Sequence, residues 1–285
     1  MYNNKQSNML SARELLITHG IKLSKSMGQN FLVDLNIPKK IVQQSGINSS
    51  CGVLETGPGL GALTLELSKT ASHVTAVELD KRLVPVLREM FHNQDNVSII
   101  QGDILKLNIK ELLDSTMPEQ EHHVCANLPY NITTPAITAF IETNAFKSIT
   151  VMIQKEVAQR ITAKPGTPEY GAFTIYINYH TSPEKLFDVS PECFNPRPKV
   201  TSSVIKLETR QTKLLSTDEE KQFFKVVRAA FGQRRKTLVN ALYSIFETSH
   251  TKESIKEKIE KCGFDARIRG EELSINDFIK LSSYL

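Results

Sequence analysis

Paired cysteines are what this sequence most plainly lacks. Cys51, Cys125, Cys193 and Cys262 are scattered, with no C-x-x-C spacing, which argues against a zinc site or a disulfide framework and fits a reducing compartment. The seven histidines contain no H-E-x-x-H, and His122 and His123 are neighbours on a β-rich run, so their side chains point to opposite faces; no metal is expected. No apolar run approaches the roughly 18 residues of a membrane span. The opening MYNNKQSNML is polar and lacks a signal peptide's apolar region, so a cytoplasmic protein with no membrane partner is expected. Internal repeats and low-complexity segments are absent.

Acidic residues are missing from two stretches. Lys221 to Lys236 holds Lys221, Lys225, Arg228, Arg234, Arg235 and Lys236 with no carboxylate between them, and Cys193 to Leu207 holds Arg197, Lys199 and Lys206 likewise unopposed. The net charge is modest, 35 basic against 31 acidic residues, so the clustering says more than the sum. A solvated helix face explains one such run; two in one chain favour a polyanionic partner.

What is present reads as an α/β chain. GVLE (52–55), HVTAVE (73–78), NVSII (96–100), HVCAN (123–127) and SITVMI (148–153) have strand character, and the stretches near 61–70 and 81–91 have helical spacing. Such alternation predicts parallel strands covered by helices on both faces. AFTIYINYH (172–180) and VTSSVIKLE (200–208) are expected to form a final antiparallel pair closing the sheet. Beyond 208 the pattern is helical: a capping box Thr217-x-x-Glu220 opens a helix that Gly232 ends, further helices are expected over 236–247 and 252–262, and Ser274-x-x-Asp277 caps a last one. The 285 residues are therefore expected to divide into an α/β domain over 1–207 and a helical domain over 208–285.

Strand GVLE runs into TGPGLGALTLEL, placing Gly57, Gly59 and Gly61 at a strand-to-helix turn, where open α/β sheets bind ligands. The spacing is neither the G-x-G-x-x-G of nicotinamide binding nor a loop leading to G-K-[ST]. Glu78 ends the second strand 21 residues after Gly57, suited to accept from both ribose hydroxyls, and Asp103 follows the third, suited to an adenine amino group. Glu55 adds negative charge beside the loop. An acidic nucleoside site without phosphate-binding elements suits S-adenosylmethionine. The fourth strand end is Asn127 in CANLPYNITTP (125–135), where Pro129 restricts Leu128 and Thr134-Pro135 signals a helix start. Asn127, the Leu128 carbonyl, Pro129 and an exposed Tyr130 ring are thus expected to form a rigid cluster. The two carbonyls suit the two hydrogens of an adenine amino group, and the ring suits stacking on the base.

These motifs carry a resemblance. SKSMGQNFL (24–32), LETGPGLGALT (54–64), VELD (77–80), QGDIL (101–105), NLPYNITTP (127–135), MIQKEVAQR (152–160), CFNPRPKVTSSVIKL (193–207) and FGQRRKTLVNAL (231–242) resemble, in order and nearly end to end, the small-subunit ribosomal RNA adenine dimethyltransferases of the KsgA/RsmA type. Departures such as Thr56 and Thr133 touch none of the assigned positions. The resemblance implies a Rossmann-like class I S-adenosylmethionine-dependent methyltransferase sheet followed by a small all-helical RNA-binding domain. It also implies dimethylation of two adjacent adenosines in a hairpin loop near the 3′ end of 16S rRNA, within an assembling small subunit. Carried over, cofactor contacts fall on Asn30, Leu32, Gly57, Glu78, Asp103 and Asn127, and Phe194 forms the second face of the base sandwich with Tyr130. Arg197, Lys199, Arg228, Arg234, Arg235 and Lys236 become candidates for phosphate contacts, and a monomer is expected. The rival readings are a macrolide-resistance methyltransferase acting on 23S rRNA, a DNA adenine or protein-glutamine methyltransferase, and a non-catalytic rRNA-binding assembly factor.

Overall fold

The computed structural model describes residues 30–285 together with Thr18 and Gly20. The opening polar stretch and residues 24–29 of the first motif lie outside the described residues. The chain forms two compact units: residues through Lys155 with Glu184–Thr209, and Glu156–Pro183 with Arg210–Leu285.

The first unit contains β1 (Phe31–Leu32), α1 (Asn36–Ser45), β2 (Cys51–Thr56), α2 (Ala62–Ser68), β3 (His73–Glu78), α3 (Leu83–Met90), β4 (Val97–Gln101), α4 (Ile109–Thr116), β5 (Glu121–Asn127), α5 (Thr133–Thr143) and β6 (Ser148–Gln154). Later come β7 (Thr181–Val189), β8 (Phe194–Asn195) and β9 (Ser202–Thr209). Seven strands make one sheet in the order β4-β3-β2-β5-β6-β9-β7, and β1 pairs antiparallel with β8 in a separate ribbon. The pairs β2–β3, β3–β4, β2–β5 and β5–β6 are parallel; β9 is antiparallel to β6. All six residues of β2 are buried, as expected of a parallel strand covered on both faces. Val53, Leu54, Val74, Ala76, Val124 and Val151 are buried along these strands, and each large aliphatic side chain so placed contributes about 1.5–3 kcal/mol.

From β2 the chain winds outward through β3 and β4, then returns to the other side of β2 for β5 and β6. The order reverses between β2 and β5, and beyond the carboxyl ends of such strands the following loops diverge and leave a crevice. Topology alone therefore places the ends of β2, β3, β4 and β5 around one opening.

The second unit holds α6 (Lys155–Ile161), α7 (Ala172–His180), α8 (Thr217–Gly232), α9 (Leu238–Phe246), α10 (Lys252–Lys261) and α11 (Ile275–Ser282). Its core gathers Ile175, Tyr179, Phe223, Val227, Leu242, Phe246, Ile259 and Phe278. Among the described residues no helix is long and apolar enough to cross a membrane.

The structure corrects several expectations. Residues 172–180 are helix, not strand: Ile175 and Tyr179, one turn apart, both enter the helical core, and that packing overrides a β-branched and aromatic composition. The edge strand is the next segment, TSPEKLFDV, whose Pro183 and charged residues fit an edge. Because α7 packs in the helical core, residues 156–183 belong to the second unit, and a single cut near 208 does not describe the chain. The N-cap of α8 is Ser216, not Thr217; its N–H and Oγ–H donate to Glu219 Oε2 at 2.9 and 2.6 Å. Helix α5 begins at Thr133, so Thr134 lies inside it and Pro135 sits in its first turn, where a missing N–H costs nothing. Ser274 caps α11 as expected, with its N–H and Oγ–H on Asp277 Oδ2.

Candidate active site

The turn between β2 and α2 is shaped by glycine. Gly57 has φ +68° and donates to Val77 O at 2.9 Å, which carries the β2–β3 pairing one bond beyond the strand end. Gly61 has φ +74°, and a Cβ there would stand 2.8 Å from the Phe91 ring. A side chain at Gly61 would be both strained and blocked. The N–H of Gly59 donates to Glu78 Oε2 at 3.1 Å, while Asp80 N–H donates to Glu78 Oε1 at 2.8 Å. Each Glu78 oxygen thus accepts one backbone bond that orients it, and each retains acceptor capacity. Burial raises the Glu78 pKa above the usual carboxylate range; the amides of Asp80 and Gly59 oppose this and the Asp80 charge adds to it.

Asp103, half-buried just past β4, accepts from Leu105 N–H at 3.1 Å and lies 3.7 Å from Lys106 Nζ. Asn127, half-buried, is the last residue of β5 and stands opposite Met152 in β6. Leu128 is buried and donates to Met152 O at 3.1 Å, so the loop leaves the sheet still tied to β6. Tyr130 opens a single 3₁₀ turn that α5 continues; its ring is half-buried rather than exposed, with the hydroxyl 2.8 Å from Ser202 Oγ on β9.

These groups surround one cavity of about 640 Å³. Asn30, Leu32, Gly57, Glu78, Asp103, Asn127, Leu128, Pro129 and Tyr130 all line it. Among the described lining residues are four carboxylates, Glu55, Glu78, Asp80 and Asp103, and no Lys, Arg or His. Glu55 is 1% exposed, and its Oε2 has no hydrogen-bond partner in the protein. Burial pushes the Glu55 carboxyl up to about 8; the nearby Thr64 hydroxyl opposes the shift and the charge of Glu78 adds to it.

Phe194 is not on the cavity wall. It stands opposite Leu32 in the β1–β8 ribbon, 4% exposed, packed among core residues that include Val204 and Met152. The base sandwich expected of Phe194 and Tyr130 is therefore not assembled here. Sequence reasoning passed over Leu79 and Leu105, which line the cavity while 64% and 41% exposed. Their signal was an apolar residue directly after Glu78 and two places after Asp103, where a loop calls for polar ones.

Of the basic candidates, Lys199, Arg228, Arg235 and Lys236 are exposed, and no ion pair involves them among the described residues. Arg234 is not free: its Nη2 donates to Pro168 O and Tyr170 O, both at 2.9 Å, and pairs with Glu271 at 3.3 Å. It clamps the 164–171 loop onto the helical unit. Arg197 pairs with Glu192, Lys206 with Glu208 and Lys221 with Asp218, so neither basic stretch is wholly unopposed. At the opposite strand ends, Cys51, Glu121 and His123 converge within 4.8 Å. There His123 already bonds Ser148 and Glu121, and Lys147 pairs with Glu121, so the group is satisfied from within and no ligand is assigned to it.

With this geometry in view, residues 20–284 match the family described as ribosomal RNA adenine dimethylase. The chain belongs to that family. It is similar to the ribosomal RNA small subunit methyltransferase A of Shouchella clausii, 45% identical over 273 residues, covering 95% of this chain and 92% of that protein. The protein of the same name from Staphylococcus epidermidis is 43% identical over 272 residues, covering 94% and 92%. Among solved structures, a dimethyladenosine transferase from Plasmodium falciparum aligns with a TM-score of 0.74 at 28% identity, covering 88% of this chain and 95% of that one. The 23S rRNA methyltransferase ErmE shares the fold, with a TM-score of 0.72 at 24% identity over 90% of this chain and 99% of its own. The sheet is therefore the Rossmann-like sheet of class I methyltransferases, with a C-terminal helical region, and the family's members are methyltransferases.

Proposed function

We propose that this protein binds S-adenosylmethionine in the carboxylate-lined cavity and dimethylates the N6 amino groups of two adjacent adenosines in a hairpin loop near the 3′ end of 16S rRNA, during small-subunit assembly. The observation that carries this reading is the lining of the cavity: among the described residues, four carboxylates and no cation beside an Asn-Leu-Pro-Tyr loop. A phosphorylated coenzyme would be repelled there, whereas a nucleoside bearing a sulfonium and an ammonium suits it. The unpartnered Glu55 Oε2 is a buried polar atom that a bound ligand can satisfy, and the glycine turn leaves room for a ligand to meet backbone.

In this reading Glu78 takes the ribose hydroxyls, Asp103 the adenine amino group, and Asn30, Leu32, Gly57 and Asn127 complete the contacts. Leu79 and Leu105 offer apolar cover for the flat base. When bound, the donor supplies a methyl group on a positively charged sulfur. The target amine is a poor nucleophile because its lone pair is delocalised into the purine. The side-chain carbonyl of Asn127 and the main-chain carbonyl of Leu128 accept its two hydrogens and favour the pyramidal nitrogen, whose lone pair is free to attack. Tyr130 stacks on the base, worth about 1–3 kcal/mol. The nitrogen's proton becomes acidic only after the methyl has joined it and then passes to water, so no side chain need act as a base beforehand. Catalysis is alignment with hydrogen bonding that tightens in the transition state. A loop adenosine is already partly unstacked, which lowers the cost of swinging it in.

Lys199, Arg228, Arg235 and Lys236 are assigned to phosphate contacts, and the protein acts as a cytoplasmic monomer. The relatives from Shouchella clausii and Staphylococcus epidermidis favour the small subunit over the large one as substrate. Incubating the protein with labelled S-adenosylmethionine and unmethylated small subunits, then mapping the modified nucleotides, tests the proposal. Label on two neighbouring adenosines near the 3′ end of 16S rRNA is expected; label confined to large-subunit RNA, or none, overturns it.

A further inference from the structure

We propose that Ser202 is a positioning residue for methyl transfer, its hydroxyl holding the Tyr130 ring at the angle from which it meets the target base. The inference rests on the proposed role of Tyr130 as the base platform and adds a residue to it.

Leu128 and Tyr130 are tied to neighbouring strands at two points. The Leu128 N–H bonds Met152 O on β6, which sets the backbone, and the Tyr130 hydroxyl meets Ser202 Oγ on β9 at 2.8 Å, which sets the tip of the ring. Those strands are paired, with Met152 opposite Val204 and Gln154 opposite Ser202, so both anchors belong to one stretch of sheet. A ring held at its backbone and at its far end has no free side-chain torsion left; held at the backbone alone it samples other rotamers.

The burial pattern separates this from an incidental contact. Ser202 is 0% exposed, in a strand where any β-branched apolar residue would pair equally well, so a hydroxyl there carries a desolvation cost that its bond to Tyr130 offsets. Tyr130 is half-buried and lines the cavity, while its hydroxyl is engaged by the serine. Alternation along β9 turns the next residue the other way: Ser203 Oγ–H donates to Asp188 Oδ1 at 2.6 Å, beside Lys155 and Lys185. The two serines of the Pro-Lys-Val-Thr-Ser-Ser run therefore have distinct partners, and only Ser202 addresses the catalytic loop.

The test is a double-mutant cycle on single-turnover transfer to saturating unmethylated small subunits, with S-adenosylmethionine affinity measured separately by calorimetry. Ser202→Ala and Tyr130→Phe each remove the same hydrogen bond from opposite ends, and Tyr130→Ala removes the ring. Each of the first two is expected to slow transfer roughly two- to tenfold with donor affinity unchanged, and the double variant to be no slower than the slower single one. A merely structural role would lower stability and donor binding together and leave the rate of correctly bound complex intact. If Tyr130→Ala transfers normally, the base-platform reading itself has failed. If Tyr130→Ala is slow while Tyr130→Phe is normal, or while the effects of Ser202→Ala and Tyr130→Phe multiply, the ring matters and the Ser202 proposal is wrong. Should Ser202→Ala not fold, Tyr130→Phe still removes the bond with the ring and the strand intact, and a normal rate for it overturns the proposal.

Discussion

Replacing Glu55 by Gln should change how stability depends on pH, with a sign set by the burial of that carboxyl. Its pKa stands near 8 in the folded protein against 4.5 for the ordinary side chain, because burial disfavours the charged form and Glu78 lies close by. The folded state then holds a proton that the unfolded chain gives up between these values. The stability due to protonated Glu55 is thus fully present below about 4.5 and is lost as pH rises through about 8. Over that interval the loss reaches roughly 5 kcal/mol at most, at about 1.4 kcal/mol per pH unit. Urea unfolding of wild type and Glu55→Gln, both free of cofactor, at intervals from pH 5 to 9 isolates the contribution. The variant should gain on the wild type by up to 1.4 kcal/mol or so per unit and level off above about pH 8.5. Glu78, raised in the same direction, titrates in both proteins and largely cancels in the difference. A difference that stays flat across the range would refute the reasoning. The same carboxyl should ionise when a cationic ligand enters, so calorimetry in buffers of different ionisation enthalpy at pH 7 should detect proton release on S-adenosylmethionine binding by the wild type and far less by Glu55→Gln.

Asn127→Ala should cut methyl transfer about a hundredfold or more while small-subunit binding is retained, checked by transfer and filter-binding assays; wild-type transfer would exclude its role at the amine. Arg235→Gln with Lys236→Gln should flatten the plot of log affinity against log salt by about one for each phosphate no longer neutralised. Arg234→Gln should leave that slope unchanged and instead lower stability by about 1–2 kcal/mol, because two backbone carbonyls and Glu271 lose their donor. Gly61→Ala should destabilise the protein by about 1–3 kcal/mol, since alanine is strained at φ +74° and its methyl meets the Phe91 ring. Thermal and urea melts measure both of these stability changes.

That the candidate residues share one cavity was legible because it follows from local rules. A strand end, a glycine turn and a carboxylate recurring at successive strand ends are spaced by the βαβ unit, and parallel topology converts that spacing into proximity around one crevice. What was not legible depends on contacts between distant segments. AFTIYINYH has strand composition, and only the presence of Phe223 and its neighbours makes it a helix. TSPEKLFDV was hidden by the proline and charges that an edge strand tolerates. Arg234 reads as a phosphate ligand until the carbonyls of Pro168 and Tyr170, more than 60 residues away in sequence, are seen to occupy it. The partnership of Tyr130 with Ser202 spans 72 residues and has no spacing signature.

The distribution of charge in the first unit also bears on which part of a nucleotide would enter under the proposed function. Glu78 and Asp103 stand on the cavity wall, while Lys199 is exposed at the surface of the same unit. A phosphate drawn 4 Å from one such carboxylate would pay about 4 kcal/mol at an effective dielectric of 20, and the same distance from a surface cation would return a comparable amount before screening. In the proposed reading a polyanion is therefore drawn to the exposed cations and repelled by the carboxylates of the cavity. The uncharged base is the part of the strand that meets no such barrier, and it is the part that the proposed function assigns to Asn127 and Tyr130, both of which line the cavity. On the proposed reading, selection of a base over its own backbone would follow from this separation of charge.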